Sequence, residues 1–367
     1  MRRSCHLLKG ATAALALGVG FAAVASAADL GTQVAKPIYT KSAPVAGPSW
    51  YVFLDGTYDR VNLPTYSLGL HNVALGGLVD NGPVNNFSST HLNGDGVRGG
   101  LGYFVPGTRW RLEASGSYVK ADGTQTQSSS VTTIGFMGPV FLNGTTSLNA
   151  FGCLAAGATC SSSGQLNSDY AAWQANGKAA YDVQWAGPVV LSPFVAVFGG
   201  SSHNNQTFNQ TFFQTVFNNS GSYAASTALT WNDFGGRFGL DATAPIANWV
   251  AWNFTGSVGL ADRRVSLTGS DAASSTGGAV FNGASAISTS ATTTAWVANV
   301  ESGFSFKPMP SLTLRAFGGV NFDNRVPGIS APSYAGSILG PSGGTSSTIN
   351  FSSETSYYGG GGVIWKF

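Results

Sequence analysis

The residues with the clearest chemical potential are acids and bases at alternate positions of apolar-rich segments. Ten of them are candidate site residues: Asp55, Arg98, Arg111, Glu113, Lys178, Asp182, Arg237, Asp241, Glu301 and Arg315. The same parity also holds Asp59, Arg109, Asp233, Arg263 and Asp323. Alternate positions of a strand lie on one face of the sheet, so these side chains are predicted to share one polar face.

This polar face is nearly neutral, with eight acids and seven bases. An unpaired charge in a closed interior costs several kcal/mol, so we expect the acids and bases to pair. Two interpretations follow. The charges either hold a polar core together or form a constriction through which small hydrophilic solutes pass.

Catalytic chemistry has weaker support. Once an export signal is removed, the histidines are His71, His91 and His203. His91 with Asp80 or Asp95, or His203 with a loop serine, has the residue types of a hydrolase of peptides or lipids. No diagnostic spacing accompanies them, so we expect no catalytic residue and no enzyme activity, with a rim hydrolase as the alternative.

Cys153 and Cys160 are separated by six residues of a Gly/Ser/Ala-rich segment. Export makes a disulfide chemically allowed, and we expect one that closes a loop. Neither cysteine has a histidine or acid at a zinc-like spacing. We therefore expect no metal site, and no cofactor motif is present.

Residues 1–27 have the pattern of an export signal, with a basic start, an apolar stretch and the small residues Ala25-Ser26-Ala27. Residues 28–48 contain three prolines and no periodicity, which predicts an extended periplasmic spacer. Removing Arg2, Arg3 and Lys9 from 18 basic residues leaves 15 against 16 acidic ones. A nucleic-acid partner is therefore not expected, because such proteins carry a clear basic excess.

The composition combines 43% hydrophobic with only 9% charged residues and 50 glycines. Soluble domains carry about 25% charged residues, yet no apolar run is long enough for a spanning helix. Apolar and polar residues alternating along many strands reconcile the two facts. The predicted strands are 49–60, 95–105, 109–120, 169–185, 189–202, 223–243, 248–263, 291–306, 311–323 and 351–367.

The connections between these strands alternate in length. Short ones such as Pro106-Gly107 and Ala186-Gly187-Pro188 follow long ones at 61–94, 121–168, 203–222, 264–290 and 324–350. Short periplasmic turns and long external loops are typical of transmembrane barrels. From residue 49 to 367 we therefore predict an all-β, antiparallel, up-and-down transmembrane barrel of ten strands. Twelve strands result if Val131–Phe136 and Val140–Leu142 form another hairpin.

The opposite parity of the strands is apolar and aromatic and is expected to face lipid. The last strand places Val363, Trp365 and Phe367 on this face and Lys366 on the other. One aromatic girdle is expected near the turn-side strand ends, formed by Trp50, Trp110, Trp185, Phe306, Trp365 and Phe367. Tyr58 and Tyr118 are expected to form the opposite girdle. In 189–202 the parity stays undecided, because Val195 and Val197 compete with Phe194 and Phe198 for the lipid side.

Short motifs carry a family resemblance. The cleavage region Ala27-Ala28-Asp29-Leu30, the segments Val97–Tyr103 and Phe238–Ala242, and the terminal Phe367 resemble porin-like outer-membrane β-barrel proteins of alphaproteobacteria, of the major outer-membrane protein type. The resemblance implies passive solute passage or a structural surface role. It also implies that Val363, Trp365 and Phe367 form the signal read by the barrel-insertion machinery. Outer-membrane lipid and lipopolysaccharide are the expected surroundings in a Gram-negative envelope, and oligomers remain possible.

Overall fold

The computed structural model describes residues 49–68, 79–80, 85–87, 90–131, 135–137, 151–153, 159–215, 219–276, 281–330, 333–334, 344–345 and 347–367. The long strands are β1 Ser49–Leu63, β2 Thr90–Phe104, β3 Trp110–Val131, β4 Cys160–Tyr181, β5 Val190–Gln214, β6 Asn219–Ala247, β7 Val250–Thr276, β8 Phe281–Met309, β9 Leu312–Ser330 and β10 Thr348–Lys366. The predicted signal, residues 1–27, and the spacer, residues 28–48, lie outside the described residues.

Each long strand pairs antiparallel with its neighbours in the chain, and β10 pairs with β1, so the sheet closes into a ring. The predicted all-β, antiparallel, up-and-down barrel is confirmed. Tight turns join β2 to β3 and β4 to β5, where Gly107 and Gly187 adopt φ values of 70° and 54°. Such values favour glycine because it lacks a Cβ. Within the described residues, no helix is long and apolar enough to span a membrane.

One band of the outer wall is apolar and bordered by aromatic residues. Trp50 and Tyr58, Trp110 and Tyr118, and Trp365 and Tyr357 are each eight positions apart on one strand, and all six are exposed. Eight positions correspond to about 26 Å along a strand, or about 20 Å along the axis at a tilt of about 40°. With the rings added, the band approaches the ~25 Å height of a lipid-facing barrel surface.

The strand with undecided parity, now part of β5, turns its valines outward. Val195 and Val197 are 62% and 60% exposed, whereas Phe194 and Phe198 are 7% and 3% exposed. The phenylalanines lie inside because interior cations pack on their rings: Lys178 Nζ lies 4.2 Å from the Phe194 ring centre, and Arg237 Cζ lies 4.3 Å from that of Phe198. Composition alone does not reveal these contacts.

Two predicted loops are wrong. Most of 203–222 and 264–290 belongs to strands, because β5 continues to Gln214, β6 begins at Asn219, β7 continues to Thr276 and β8 begins at Phe281. Their Ser, Thr and Asn content suggests loops, but these residues alternate with inward apolar ones such as Phe208 and Leu267. Threonine also favours strands.

The apolar and polar faces exchange sides in these extensions. After Leu260, toward the loop-side end of β7, the outer face becomes polar with Asp262 and Arg264. The inner face becomes apolar with Val265 and Leu267. The inward apolar residues form one buried cluster, called the apolar plug: Tyr66, Phe87, Leu166, Phe208, Phe212, Tyr223, Ala225, Leu229, Trp231, Val265, Leu267, Ile287 and Ile329. Tyr66 and Phe87 come from a small hairpin between β1 and β2, and their rings contact Phe208.

Burial affects the chemistry of the plug. It raises the pKa of the Tyr66 and Tyr223 phenols above their usual value, because a buried phenolate loses its hydration. Tyr223 donates a hydrogen bond of 3.1 Å to Asp271, which also accepts one from Ser285. One internally bonded acid and the buried amides Asn204, Gln206 and Gln210 of β5 therefore lie beside the apolar plug on the loop side of the interior.

Short strands lie apart from the ring. Gly135–Met137, which overlaps the end of the first segment of the twelve-strand alternative, pairs with Phe151–Cys153 in a separate small sheet. Val140–Leu142, the other segment, lies outside the described residues. Where the chain is described, this hairpin does not join the ring.

Candidate functional site

The barrel interior holds three ionic clusters in the described residues, and the first is centred on Asp55. This carboxylate has no exposed side-chain surface, accepts from Arg98 Nε at 3.0 Å and from Arg315 Nε at 2.6 Å, and makes a second contact with Arg315 Nη2. Arg98 also donates to Glu301 at 2.8 Å. Both guanidinium groups lie over the Phe317 ring, at 4.7 and 5.4 Å from its centre. Two acids thus balance two bases.

The second cluster is centred on Asp241, toward the short turns. One oxygen of this carboxylate accepts from Arg111 Nη2 and Lys178 Nζ, both at 2.6 Å, and the other accepts from Thr255 at 3.0 Å. Glu113 lies directly across from Lys178 in the β3–β4 register and accepts from Tyr51 at 2.6 Å. This cluster is also neutral.

The third cluster lies beneath the apolar plug. Arg263, whose side chain is 2% exposed, forks onto Asp233 with two bonds of 2.7 Å and onto Asp323 with bonds of 2.7 and 3.1 Å. Its Nη1 also donates to the carbonyl of Arg325 at 2.6 Å. The bidentate geometry and the backbone contact fix this guanidinium.

Glycines allow several of these bonds to span three strands. Tyr51 on β1 lies over Gly102 on β2 to reach Glu113 on β3, and the register aligns the three residues. A Cβ on Gly102 would lie 1.9 Å from the Tyr51 ring. The side chain of Tyr51 therefore needs the space that glycine leaves.

Two further bonds repeat this arrangement. Arg315 on β9 passes Gly362 on β10 to reach Asp55 on β1, and a Cβ on Gly362 would lie 2.0 Å from Asp55 Oδ1. Tyr358 on β10 passes Gly319 on β9 to donate to Glu301 on β8 at 2.9 Å. We call the three sites at Gly102, Gly362 and Gly319 the glycine gaps.

The ten candidate lumen residues are thus all described, and eight of them belong to the first two clusters. Asp182 lies apart at the short-turn end, where Ser192 donates to it at 2.6 Å. Arg237 also lies apart, donating to Gln174 Oε1 at 3.2 Å. The sequence alone does not identify Tyr51, Tyr358 or the glycine gaps. The sequence feature that could have revealed them is an inward glycine whose neighbours on the two adjacent strands are long inward side chains.

Two adjacent cavities, of about 490 and 270 Å³, occupy the interior among these clusters. The larger extends toward the short turns as far as Lys307 and Lys366. The smaller ends at Arg263 and Trp231, where the apolar plug begins. Solutes of a few heavy atoms fit these volumes, and the plug closes the described interior on the loop side.

The three residues of the predicted insertion signal lie away from the lumen. Val363, Trp365 and Phe367 are exposed on the outer wall, as the alternation predicts. Cys153 and Cys160 lie on two different strands, but their side chains are outside the described part, so the disulfide stays a prediction.

The histidines do not form a described catalytic group. His91 Nδ1 lies 2.6 Å from the Asn62 amide oxygen, and His203 is exposed on the outer face of β5. Asp95 is exposed on the outer wall, and His71 lies outside the described residues. Among the residues described, no group of three or more His, Cys, Asp or Glu side chains is placed to hold a metal ion.

Fold and interior together define a closed antiparallel β-barrel with an ion-paired interior and an apolar outer band. No family model matches the chain, and no curated protein matches it. The chain resembles the outer-membrane protease OmpT from Escherichia coli with 10% identity and a TM-score of 0.35, covering 89% of this chain and 99% of that one.

Two further solved structures have lower scores. A FadL homologue from Pseudomonas aeruginosa has 8% identity and a TM-score of 0.21, over 87% of this chain and 89% of that one. The toluene transporter TodX from Pseudomonas putida has 8% identity and a TM-score of 0.20, over 88% and 90%. Likenesses of this size assign no activity to this chain.

Proposed function

We propose that this chain is a structural surface barrel of a Gram-negative outer membrane, with an interior that is closed rather than an open pore. The apolar plug carries this proposal, because it fills the loop-side interior with side chains that are 0–7% exposed. Below it, three ionic clusters brace the wall. Ions do not enter a packed apolar cluster, since each would lose its hydration.

The membrane placement is supported by the apolar band with its two aromatic borders. Several charged residues of the outer wall lie at the loop-side edge of this band, where headgroups or water solvate them, among them Arg60, Asp95, Lys120, Asp169 and Asp262. We propose that residues 1–27 direct export, that Val363, Trp365 and Phe367 are read by the insertion machinery, and that lipopolysaccharide surrounds the outer leaflet side. Membership in the alphaproteobacterial major outer-membrane protein type belongs to this proposal.

Passage of small hydrophilic solutes is the second candidate function. The two adjacent cavities favour it, because together they extend from the short-turn end to the plug. We propose no reaction: the His91 ring lies 2.6 Å from the Asn62 amide oxygen, and His203 is exposed on the outer face of β5.

Conductance in planar lipid bilayers tests the proposal. The purified barrel is expected to give no discrete openings. A Phe208→Ala/Phe212→Ala double variant, which empties part of the plug, is expected to give openings. Phe213→Ala, on the outward face of the same strand, is the matched control and should remain silent. Sustained openings of the native chain would favour the second candidate and refute the closed barrel.

A further inference from the structure

Unlike Arg98, Arg111, Arg263 and Arg315, Arg237 has no acid paired with it in the described residues. Its guanidinium stacks on Phe198 at 4.3 Å and donates to the neutral amide oxygen of Gln174 at 3.2 Å. Its Nε is buried and has no hydrogen-bond partner. A buried cation without an anion is costly, so a counter-ion would stabilise it.

Arg237 also lies at the junction of the two cavities and lines both of them. The other polar side chains that line both are Asp59, Ser117, Gln174, Ser257, Asn299 and Asn321. Apart from Arg237, only Asp59 among these is ionisable, and its carboxylate accepts from Thr57 at 2.6 Å. The junction is therefore a neutral polar ring with one guanidinium and one acid that has its own hydrogen bond.

Two amide side chains of this ring use their oxygens in hydrogen bonds to other side chains of the ring, which leaves their nitrogens as donors. Gln174 uses its oxygen to accept from Arg237, and Asn321 uses its oxygen to accept from Asn299 at 2.8 Å. Each amide nitrogen remains as a donor of two hydrogens. With the guanidinium, these groups provide the charged and neutral N–H donors that oxygen anions require.

Entry from the short-turn end suits an anion. Lys307 and Lys366 line the larger cavity at that end, and the Lys366 ammonium lies over the Phe104 ring. Positive charge at the mouth of a cavity raises the local concentration of anions. Of the acids described toward this end, Asp182 accepts from Ser192, Asp241 accepts from Arg111 and Lys178, and Glu113 accepts from Tyr51.

We propose that the junction at Arg237 is a binding site for one small oxyanion, of the carboxylate or phosphate class. The guanidinium binds two anion oxygens, and Gln174 and Asn321 donate to the remaining lone pairs. The cavity volumes accommodate an anion the size of acetate or inorganic phosphate.

Titration calorimetry with sodium acetate and with sodium phosphate, each against sodium chloride at equal ionic strength, tests the site on the folded full barrel in detergent. Saturable binding of at least one probe is expected. Gln174→Glu supplies a carboxylate next to Arg237 and should weaken that binding at least tenfold. Gln165→Glu adds the same charge to an exposed position on the same strand and should change binding less than twofold.

Arg237→Gln provides a second variant, with the same expected loss. Heat-modifiable migration on gels checks that each variant is folded. Saturable binding that weakens as expected supports the site. The affinities for acetate and for phosphate, compared with each other, show whether the site prefers a carboxylate or a phosphate. The absence of saturable binding, or a loss below tenfold in Gln174→Glu, overturns it. Conductance is measured separately, so failure of this site and failure of the closed barrel are distinguishable.

Discussion

Asp55→Ala is the most informative perturbation of the barrel interior. Asp55 has no exposed side-chain surface and holds two guanidinium groups. Its loss leaves Arg315 without an acid partner in the described residues, whereas Arg98 keeps Glu301. Removing one partner of a buried pair costs about 3–5 kcal/mol, and we expect about 3 because Arg98 remains paired and Arg315 is 21% exposed.

The matched control is Asp262→Ala. Asp262 lies 4.0 Å from Arg264 on the outer wall, where the two side chains are 62% and 78% exposed. Exposed pairs contribute about 0–1 kcal/mol. A double variant, Asp55→Ala with Arg315→Ala, removes the stranded cation and should recover at least about 1 kcal/mol relative to the sum of the single changes.

The assay is guanidinium chloride unfolding of the vesicle-inserted barrel, followed by tryptophan emission and extrapolated linearly to water. Equal losses for Asp55→Ala and Asp262→Ala would refute the claim that ion pairs brace the interior. Strict additivity in the double variant would show that Asp55 and Arg315 do not interact.

Leu54→Arg places a charge mid-band on the lipid face and should cost about 2–4 kcal/mol of folding free energy, visible as a reduced folded fraction in vesicles. Gly362→Ala should prevent the Asp55–Arg315 bond and lower stability in the same unfolding assay, whereas Gly56→Ala, whose Cβ meets nothing within 4 Å, should not. Burial raises the pKa of Tyr66 in the folded barrel, so its phenol ionises first in the unfolded chain. The free energy of unfolding should therefore be full below pH ~10 and decrease above it. Tyr66→Phe should make this decrease smaller, and an unchanged pH dependence would contradict the reasoning.

The alternation of side chains predicts the barrel wall because lipid and lumen impose opposite demands on successive residues. It places Leu54 outside and Asp55 inside without knowledge of any partner. It fails in β5, where Phe194 and Val195 are both apolar and only the cation above the Phe194 ring decides between them.

The candidate site is harder to predict than the wall. Which acid pairs with which base depends on strand register, which sequence spacing does not determine; Arg315 and Asp55 lie far apart in the chain yet are separated in space by one glycine. The apolar plug was missed because its residues alternate with serines and threonines that suggest loops. On the loop side of the apolar band, water rather than lipid contacts the outer wall. Polar residues therefore face outward there and apolar residues face inward, the reverse of their arrangement within the band.

The glycine gaps also bear on how the closing strand finds its alignment. A slip of one residue would expose the wrong face to lipid, but a slip of two would keep every apolar residue outward. Such a slip of β10 would place Ser356 or Gly360 opposite Gly319 instead of Tyr358. Neither carries a phenol that reaches Glu301, so the contact through the glycine gap at Gly319 disfavours an offset that hydrophobicity alone would tolerate.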